Sequence, residues 1–243
     1  MKPVSELEGK VCLVTGASRG IGKAIAHLLD AGGASVIAVA RPSEALDALA
    51  EEMSERTTLI GADATSDAFL EQIDGLHRLD VLINNLGTNV PRLMEDVDDG
   101  LLDLMINLNI RSTYRISRSA VRRMSQDGRV INITSQMGHV GSARRTVYCM
   151  TKHAIEGLTK AMAIELAPRG IRVNSVAPTF VETEMTKPML ADPEFADFVK
   201  RMIPLGRLAD AEDVARAVAF LCGPGAKMIT GQSLIVDGGW TAQ

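Results

Sequence analysis

The stretch Val11-Cys-Leu-Val-Thr-Gly-Ala-Ser-Arg-Gly-Ile-Gly22 decides the fold. Its first five residues are mostly apolar and predict a buried strand, and a helix is predicted to begin at about Ile21. Between them, Gly16, Gly20 and Gly22 allow a sharp turn whose backbone can approach a phosphate closely. The free N–H groups and the dipole of a helix start favour negative charge. The stretch therefore predicts a strand–turn–helix unit that holds the pyrophosphate of a dinucleotide.

The remainder of the chain repeats this alternation of apolar runs and amphipathic segments. Runs rich in Val and Ile lie at residues 11–14, 36–39, 57–60, 81–83, 130–133, 173–176 and 234–236. Amphipathic segments lie between them at residues 21–29, 45–53, 101–124, 147–166 and 211–221. Buried strands that alternate with helices are typical of a parallel sheet. We therefore predict one α/β domain over residues 1–243, a Rossmann-like doubly wound parallel sheet of about seven strands with helices on both faces.

One stretch departs from the alternation. Residues 183–204 contain several prolines and are expected to form a lid outside the sheet. Its apolar side chains would pack over a substrate, although core packing explains them nearly as well. These side chains are Met185, Met189, Leu190, Phe195, Phe198 and Met202.

Composition narrows the classes of partner. The formal net charge of -4 gives no cationic field for a phosphate backbone, so nucleic acid is not expected as a partner. No apolar run reaches the roughly 18 residues of a membrane span, so no membrane association is expected. The 3 cysteines are odd in number and widely separated, which favours a reducing, cytoplasmic location. The 4 histidines lack zinc-site spacing, so no metal is expected.

Three polar residues form a candidate catalytic group. Ser135 follows the apolar run 130–133, and the carboxyl ends of parallel strands are where α/β sheets bind ligands. Lys152 follows Tyr148 by four residues in a helical segment, which places both side chains on one face. A nearby ammonium should favour the phenolate and lower the pKa of Tyr148 from about 10 toward working pH. Such a tyrosine could supply or remove the proton that accompanies hydride transfer to a ketone.

These motifs together resemble the short-chain dehydrogenase/reductase family. The resemblance covers essentially the whole chain, through TGASRGIG at 15–22, the Asn84-Asn85-Leu86-Gly87 segment, Asn109, Ser135, the Tyr148/Lys152 pair and Pro178. It implies that Ser135 binds the substrate carbonyl, Lys152 also binds the nicotinamide ribose, and Asn109 positions a water in a proton relay. Asn109 is preferred over Asn107 because its spacing from Asn85 matches the family. The resemblance also implies a homotetramer, with segments 101–124 and 147–166 at one interface and the last helix and strand at another.

The cofactor is expected to be NADP(H) rather than NAD(H). An acid at the end of the second strand binds the ribose hydroxyls of NAD, whereas a base accommodates the 2′-phosphate of NADP. Here that strand is followed by Arg41, and Arg19 supplies a second guanidinium. The alternative is that Arg41 is an ordinary solvated loop residue.

The resemblance extends the cofactor site to further positions. Asp63 is expected beside the adenine, although it could equally cap a strand end. The expected cofactor-binding residues are Gly16, Ser18, Arg19, Gly20, Ile21, Gly22, Arg41, Asp63, Asn85, Gly87, Tyr148, Lys152, Pro178, Val181 and Thr183. The chain departs from the family at Leu86, where alanine is usual, and at Thr179, where glycine is usual. Both departures enlarge a side chain near the cofactor.

Substrate residues are expected just after Ser135 and just before Tyr148. Gln136, with His139, Thr88 and Asn89 nearby, would make the mouth of the site polar. Arg144 and Arg145 could bind a carboxylate or phosphate, or could instead pair with acids at a subunit contact.

Three functions remain open from the sequence. The leading one is an NADP(H)-dependent oxidoreductase that interconverts a secondary alcohol and a ketone on a small polar or anionic substrate such as a sugar, sugar acid or hydroxy acid. The second is a 3-oxoacyl-[acyl carrier protein] reductase, which would need a basic docking patch. The arginines that could form this patch also lie at the expected subunit interface. They are Arg111, Arg115, Arg118, Arg122 and Arg123. The third is a nucleotide-sensing protein without catalysis.

Overall fold

The protein is a seven-stranded parallel sheet covered by helices on both faces. This description rests on a computed structural model and covers residues 7–184 and 186–243. The strands are β1 (Val11–Thr15), β2 (Ser35–Ala40), β3 (Thr58–Gly61), β4 (Leu79–Asn84), β5 (Met124–Ile133), β6 (Arg172–Pro178) and β7 (Ser233–Val236). The helices are α1 (Gly20–Ala31), α2 (Glu44–Glu52), α3 (Asp67–Asp74), α4 (Asp99–Ile106), α5 (Ser112–Val121), α6 (Thr146–Leu166), α7 (Lys187–Leu190), α8 (Pro193–Met202) and α9 (Ala211–Cys222).

The strand order is β3-β2-β1-β4-β5-β6-β7, with every neighbouring pair parallel. The order reverses between β1 and β4, which opens a crevice at their carboxyl ends. Two apolar clusters fill the two sides of the sheet. One packs α1 and α9 against the strands, and the other packs α3, α5 and α6 against the opposite face. The predicted Rossmann-like doubly wound fold is therefore confirmed.

Several predicted boundaries are wrong. The segment 101–124 is not one helix, because α4 passes through a π-helical turn at Asn107–Arg111 into α5, and β5 already begins at Met124. Helix α3 was not expected from the sequence, although Ser66 caps its first turn by accepting from Phe69 N. Residues 183–204 include two helices, α7 and α8, and Met185 lies outside the described residues.

Candidate active site

The glycine turn joins β1 to α1 at the carboxyl edge of the sheet. Gly16 and Gly20 have φ of +66° and +54°, a region that side-chain-bearing residues avoid. A Cβ on Gly22 would lie 2.1 Å from the Gly16 carbonyl oxygen, so only glycine fits there. Among the described side chains none caps the N-terminus of α1, and its first turn carries no acid. The free N–H groups at the start of α1 are thus available to bind an anion.

Asn85, which directly follows β4, forms hydrogen bonds that hold this turn in place. Its Nδ2 donates to the carbonyl oxygens of Thr15 at 3.1 Å and Gly16 at 3.2 Å. Its backbone N–H is held by Thr15 Oγ1 at 3.0 Å. The Asn85 side chain is therefore committed to shaping the glycine turn, a role that the sequence did not suggest.

The adenosine end of the crevice carries exposed charges. Arg41 directly follows β2 and is exposed, and its charge helps to lower the pKa of Asp63. The larger causes of that lowered pKa are the hydrogen bonds that Asp63 accepts from Thr65, from the backbone N–H at 2.9 Å and from Oγ1 at 2.8 Å. Asp63 thus caps the turn after β3. Arg19 Nη1 pairs with Glu184 Oε2 at 3.4 Å, and both side chains are exposed.

Ser135, Tyr148 and Lys152 come together at the end of β5. Lys152 Nζ lies 5.6 Å from the centre of the Tyr148 ring and donates to the Ile133 carbonyl oxygen at 3.0 Å. Ser135 Oγ accepts from Met137 N at 3.1 Å, and the Ser135 side chain is close enough to the Tyr148 phenol to influence its pKa. The α6 helix therefore presents the phenol and the ammonium on one face, as the four-residue spacing predicts.

The expected direction of the Tyr148 pKa is wrong. Burial raises the pKa of Tyr148 to about 12, and the nearby Ser135 side chain opposes this only in part. Burial also lowers the pKa of Lys152 to about 8, against the opposing charge of Glu156. Desolvation is therefore the main cause of both shifts. At neutral pH Tyr148 therefore keeps its proton while Lys152 remains largely charged.

Asn109 lies beside this pair, in the π-helical turn between α4 and α5. Its Nδ2 donates to the Thr88 carbonyl oxygen and to Thr151 Oγ1, both at 3.0 Å, and its Oδ1 accepts from Thr88 N at 2.8 Å. A Cβ on Gly87 would lie 3.4 Å from Asn109 Oδ1 and 3.5 Å from Lys152 Nζ. Gly87 thus leaves a narrow space between these groups. Asn109 is buried and Asn107 is exposed.

The segment after β6 lies along the other side of the crevice. Pro178 ends β6, and Val181 forms an isolated parallel bridge with Ala209. A Cβ on Gly20 would lie 3.3 Å from Thr183 Cγ2, so Thr183 lies against the glycine turn. Thr183 N is held by Thr186 Oγ1 at 3.0 Å.

The two candidate substrate arginines lie in different environments. Arg144 is exposed, with a φ of +62°, and its carbonyl oxygen accepts from Arg92 N at 2.9 Å. Arg145 is buried, with its guanidinium carbon 5.6 Å from the ring centres of both Phe180 and Phe195. Burial lowers the pKa of Arg145, and its Nε has no partner among the described residues. The sequence did not distinguish these neighbours.

Gln136 and His139 also lie in different environments. Gln136 is buried, and neither atom of its side-chain amide has a partner in the described part of the chain. His139 does not contribute to the mouth as expected. Its Nε2 lies 2.9 Å from Ser233 Oγ and 3.3 Å from Glu156 Oε1, toward the start of β7.

Comparison with known proteins identifies the family. A family profile described as enoyl-(acyl carrier protein) reductase matches residues 16–241. The chain is 41% identical over 240 residues to 3-oxoacyl-[acyl-carrier-protein] reductase of Vibrio harveyi, covering 96% of this chain and 98% of the relative. It is 36% identical over 239 residues to L-xylulose reductase of Bos taurus, covering 97% and 98%.

Solved structures agree with this match. A Serratia marcescens short-chain dehydrogenase/reductase mutant superposes with a TM-score of 0.90 at 38% identity, covering 97% of this chain and 99% of that one. This chain belongs to the short-chain dehydrogenase/reductase family. A Beutenbergia cavernae member, proposed to be an NAD(P)-dependent gluconate 5-dehydrogenase and solved with NADP at low occupancy, has a TM-score of 0.92 at 36% identity over 99% and 100% of the two chains.

As a member of this family, the protein is an oxidoreductase that acts on CH–OH groups with a nicotinamide dinucleotide. The residues present fit that cofactor, since the uncapped start of α1 can take a pyrophosphate and Gly87 leaves room beside Lys152. Within the described residues, no helix is both long and apolar enough to cross a membrane.

Sequence reasoning missed residues that pack against helix α8. The ring centre of Phe180 lies 5.5 Å from that of Phe195, and the ring centre of Trp240 lies 6.0 Å from that of Phe198, so these contacts join α8 to the segment after β6 and to the C-terminal turn. Leu190 also packs in this cluster. Trp240 is the single tryptophan of the chain, and the large apolar surface of such a side chain was the available signal for a packing role.

Proposed function

We propose that the protein is an NADP(H)-dependent oxidoreductase that interconverts a secondary alcohol and a ketone on a small polar or anionic substrate. The observation that carries this proposal is the meeting of Ser135, Tyr148, Lys152 and Asn109 at the same sheet edge as the uncapped start of α1. A proton donor and an anion-binding turn on one crevice are what carbonyl reduction with a dinucleotide requires.

When bound, NADPH would supply a hydride for the carbonyl carbon. Tyr148 would donate its hydroxyl proton to the carbonyl oxygen, and the high pKa of Tyr148 keeps that proton available at neutral pH. Ser135 would bind the same oxygen. Lys152 would hold the nicotinamide ribose and stabilise the phenolate left behind, and Asn109 would position a water that returns a proton to Tyr148. In the reverse direction the Tyr148 phenolate removes the alcohol proton.

Replacement of Tyr148 by phenylalanine tests this chemistry. Tyr148→Phe removes the proton donor and leaves the glycine turn untouched, so turnover should fall by about 1000-fold or more while NADPH affinity changes little. Activity is measured as NADPH absorbance against L-xylulose, sugar acids, ethyl acetoacetate and acetoacetyl thioesters. Tyr114→Phe, at an exposed tyrosine, is the matched control. Substantial activity in Tyr148→Phe would remove Tyr148 from the mechanism.

The preference for NADP(H) is supported by Arg19 and Arg41 on either side of the adenosine end. The Beutenbergia cavernae relative with bound NADP agrees with it. Arg41→Ala should lower kcat/KM for NADPH about 10-fold or more, because an exposed guanidinium still contributes a charge-assisted bond to a phosphate. The value for NADH should not change. A parent enzyme that prefers NADH would overturn this assignment.

Polar groups without partners support a polar or anionic substrate. Arg145 Nε and the Gln136 amide are buried beside the catalytic residues with hydrogen-bonding capacity unused in the described structure. Such groups cost free energy unless a ligand satisfies them. Arg144 adds an exposed charge next to Arg145. We propose that residues 183–204 close over this substrate, since the aromatic cluster already links them to the crevice.

A 3-oxoacyl-[acyl carrier protein] reductase is the second candidate, favoured by the Vibrio harveyi relative at 41% identity. Only some of the arginines in the expected docking patch are exposed. Arg111, Arg118 and Arg122 are exposed, whereas Arg115 pairs with Asp67 and donates to the Thr65 carbonyl oxygen. Arg123 is only partly exposed. Faster reduction of an acetoacetyl-carrier protein than of L-xylulose would select this candidate.

We also propose a cytoplasmic homotetramer. Large apolar side chains are exposed on the two expected interfaces, and such residues favour contacts between subunits. They are Leu104, Tyr114, Met150 and Ile164 on α4 to α6, and Phe220, Met228 and Ile235 near α9 and β7. The free cysteines fit a reducing compartment. Light scattering that gives a monomer would overturn the assembly.

A further inference from the structure

Glu156 is a buried acid behind the catalytic residues. It lies four residues after Lys152 on α6 and is 5% exposed. Oε1 accepts from Thr134 Oγ1 at 2.5 Å and from Ser233 Oγ at 3.1 Å. Oε2 accepts from Ser175 Oγ at 2.7 Å. Hydroxyls from the end of β5, from β6 and from β7 therefore surround the carboxylate and stabilise its negative charge.

A buried carboxylate also needs a positive charge nearby. Two candidates face it. Lys152 is one helical turn earlier and equally buried, and the charge of Glu156 opposes the burial that lowers the pKa of Lys152. His139 Nε2 lies 3.3 Å from Glu156 Oε1 at the rim, with 27% of its side chain exposed. In the described part of the chain, neither Lys152 nor any arginine lies within ion-pair distance of Glu156, and Lys152 Nζ instead donates to the Ile133 carbonyl oxygen. The two charges therefore act on each other across one buried helical turn.

Thr134 connects this acid to the reacting edge of the sheet. It lies between Ile133, whose carbonyl oxygen accepts from Lys152 Nζ at 3.0 Å, and Ser135. Its hydroxyl also reaches the Val176 carbonyl oxygen at 3.3 Å, on β6. The bond from Thr134 to Glu156 therefore fixes the three consecutive residues that contact or neighbour the catalytic pair.

We propose that Glu156 is a positioning residue for the reaction proposed above: its buried carboxylate keeps Lys152 as an ammonium and anchors the end of β5 through Thr134. The inference depends on that proposed function. The carboxylate touches neither the substrate nor the cofactor, and it acts through Lys152 and Thr134.

The direction of the expected effect follows from the charges around the pair. Among the described residues, the titratable groups beside the pair are Tyr148, whose ring centre lies 5.6 Å from Lys152 Nζ, and His139, whose Nε2 lies 3.3 Å from Glu156 Oε1. The other described partners of the carboxylate are the hydroxyls of Thr134, Ser175 and Ser233. Removal of the Glu156 charge removes the one influence that raises the pKa of Lys152. Lys152 should then lose its ammonium proton at a lower pH.

Glu156→Gln tests the proposal, because the amide has the shape of the acid without its charge. The NADPH dissociation constant, from fluorescence titration, and kcat/KM for reduction of ethyl acetoacetate are measured across pH 6 to 10, taken as an approximate range. In the parent, NADPH affinity and kcat/KM should both fall as the pH rises through the pKa of Lys152, about 8, and this decrease is the alkaline limb of the two pH profiles. In Glu156→Gln the alkaline limb should lie about one pH unit lower. At high pH both quantities should then be about tenfold below those of the parent. At the acidic end the two proteins should agree.

Glu156→Asp is the conservative variant and should restore most of the limb, because the charge remains. A Glu156→Gln protein that is folded and has the parent's alkaline limb would overturn the proposal. If the parent reduces no carbonyl compound, the proposed function fails. The NADPH binding profile then still tests Glu156, so the two failures are distinguishable.

Thr134→Val and Ser175→Ala test the anchor without changing any charge, should Glu156→Gln not fold. Thr134→Val should lower kcat about 10-fold with the alkaline limb unmoved, because it frees the chain between Ile133 and Ser135. Ser175→Ala, which removes a bond to Glu156 from the neighbouring strand β6 and leaves the Thr134 bond intact, should lower kcat less than about threefold. Equal effects of the two variants would overturn the anchoring role.

Discussion

At the phosphate end of the crevice, made by residues 16–22 with Arg41, the cations are exposed and the shape comes from the backbone. At the proton-transfer end, made by Asn109, Ser135, Tyr148 and Lys152, Tyr148 is half-buried and the other three residues are buried, and groups from several elements hold them in place. Exposed charges are screened by water and salt, whereas buried ones interact strongly and shift one another's pKa. The phosphate end should therefore be more sensitive to changes of shape than to changes of charge, and the proton-transfer end should be most sensitive to the loss of its charged and polar groups.

The largest effect is expected from a substitution that changes the shape of the phosphate end. In Gly22→Ala, the new Cβ would lie 2.1 Å from Gly16 O and 2.5 Å from Asn85 Nδ2, so the turn must move. The free energy of unfolding should fall by about 2–3 kcal/mol and NADPH affinity by about 100-fold. Urea denaturation and fluorescence titration measure the two quantities.

Gly141→Ala is the matched control, since a Cβ there meets nothing within 4 Å. It should alter stability by less than about 0.5 kcal/mol. If Gly22→Ala binds NADPH as well as Gly141→Ala does, the backbone does not define the phosphate end.

An intermediate effect is expected from replacing Arg145, a buried charge that contacts the proposed lid. Arg145→Met removes the guanidinium that lies over Phe180 and Phe195, at a cost of about 1–2 kcal/mol for the two contacts. The lid should become more sensitive to proteolysis, and kcat/KM should fall about 10-fold. Limited proteolysis and steady-state kinetics provide the measurements.

The neighbouring exposed arginine sharpens this test. Arg144→Met removes the same charge one residue away and should change kcat/KM by less than about threefold, because exposed charges contribute little. A larger loss from Arg144→Met than from Arg145→Met would contradict the importance of burial here.

The smallest effect concerns an exposed ion pair at the phosphate end. Glu184→Gln releases Arg19 from its contact at 3.4 Å and frees it for the 2′-phosphate. NADPH affinity should rise by up to about threefold at low salt and by less at high salt, with no change for NADH. Fluorescence titrations at two salt concentrations check this. Equal gains for both cofactors would place Arg19 away from the 2′-phosphate.

Much of the fold could be predicted because its signals are local. Each of the seven apolar runs corresponds to a strand, since a strand buried on both faces needs only a short continuous run. The π-helical turn within segment 101–124 was not predictable in this way, because residues Asn107–Arg111 contain no glycine or proline to mark an interruption of the helix. Helix α3 was missed because it is only 8 residues long.

The sequence by itself determined the glycine turn, the spacing that puts Tyr148 and Lys152 on one helical face, and the parallel sheet that carries both. These follow from neighbours within a few residues, where backbone geometry sets the outcome. Only the tertiary structure decided that Arg145 is buried beside an exposed Arg144, that the pKa of Tyr148 rises instead of falling, and that three strands hold Glu156. Burial and solvation depend on residues far apart in the chain, and no local pattern records which of them will meet.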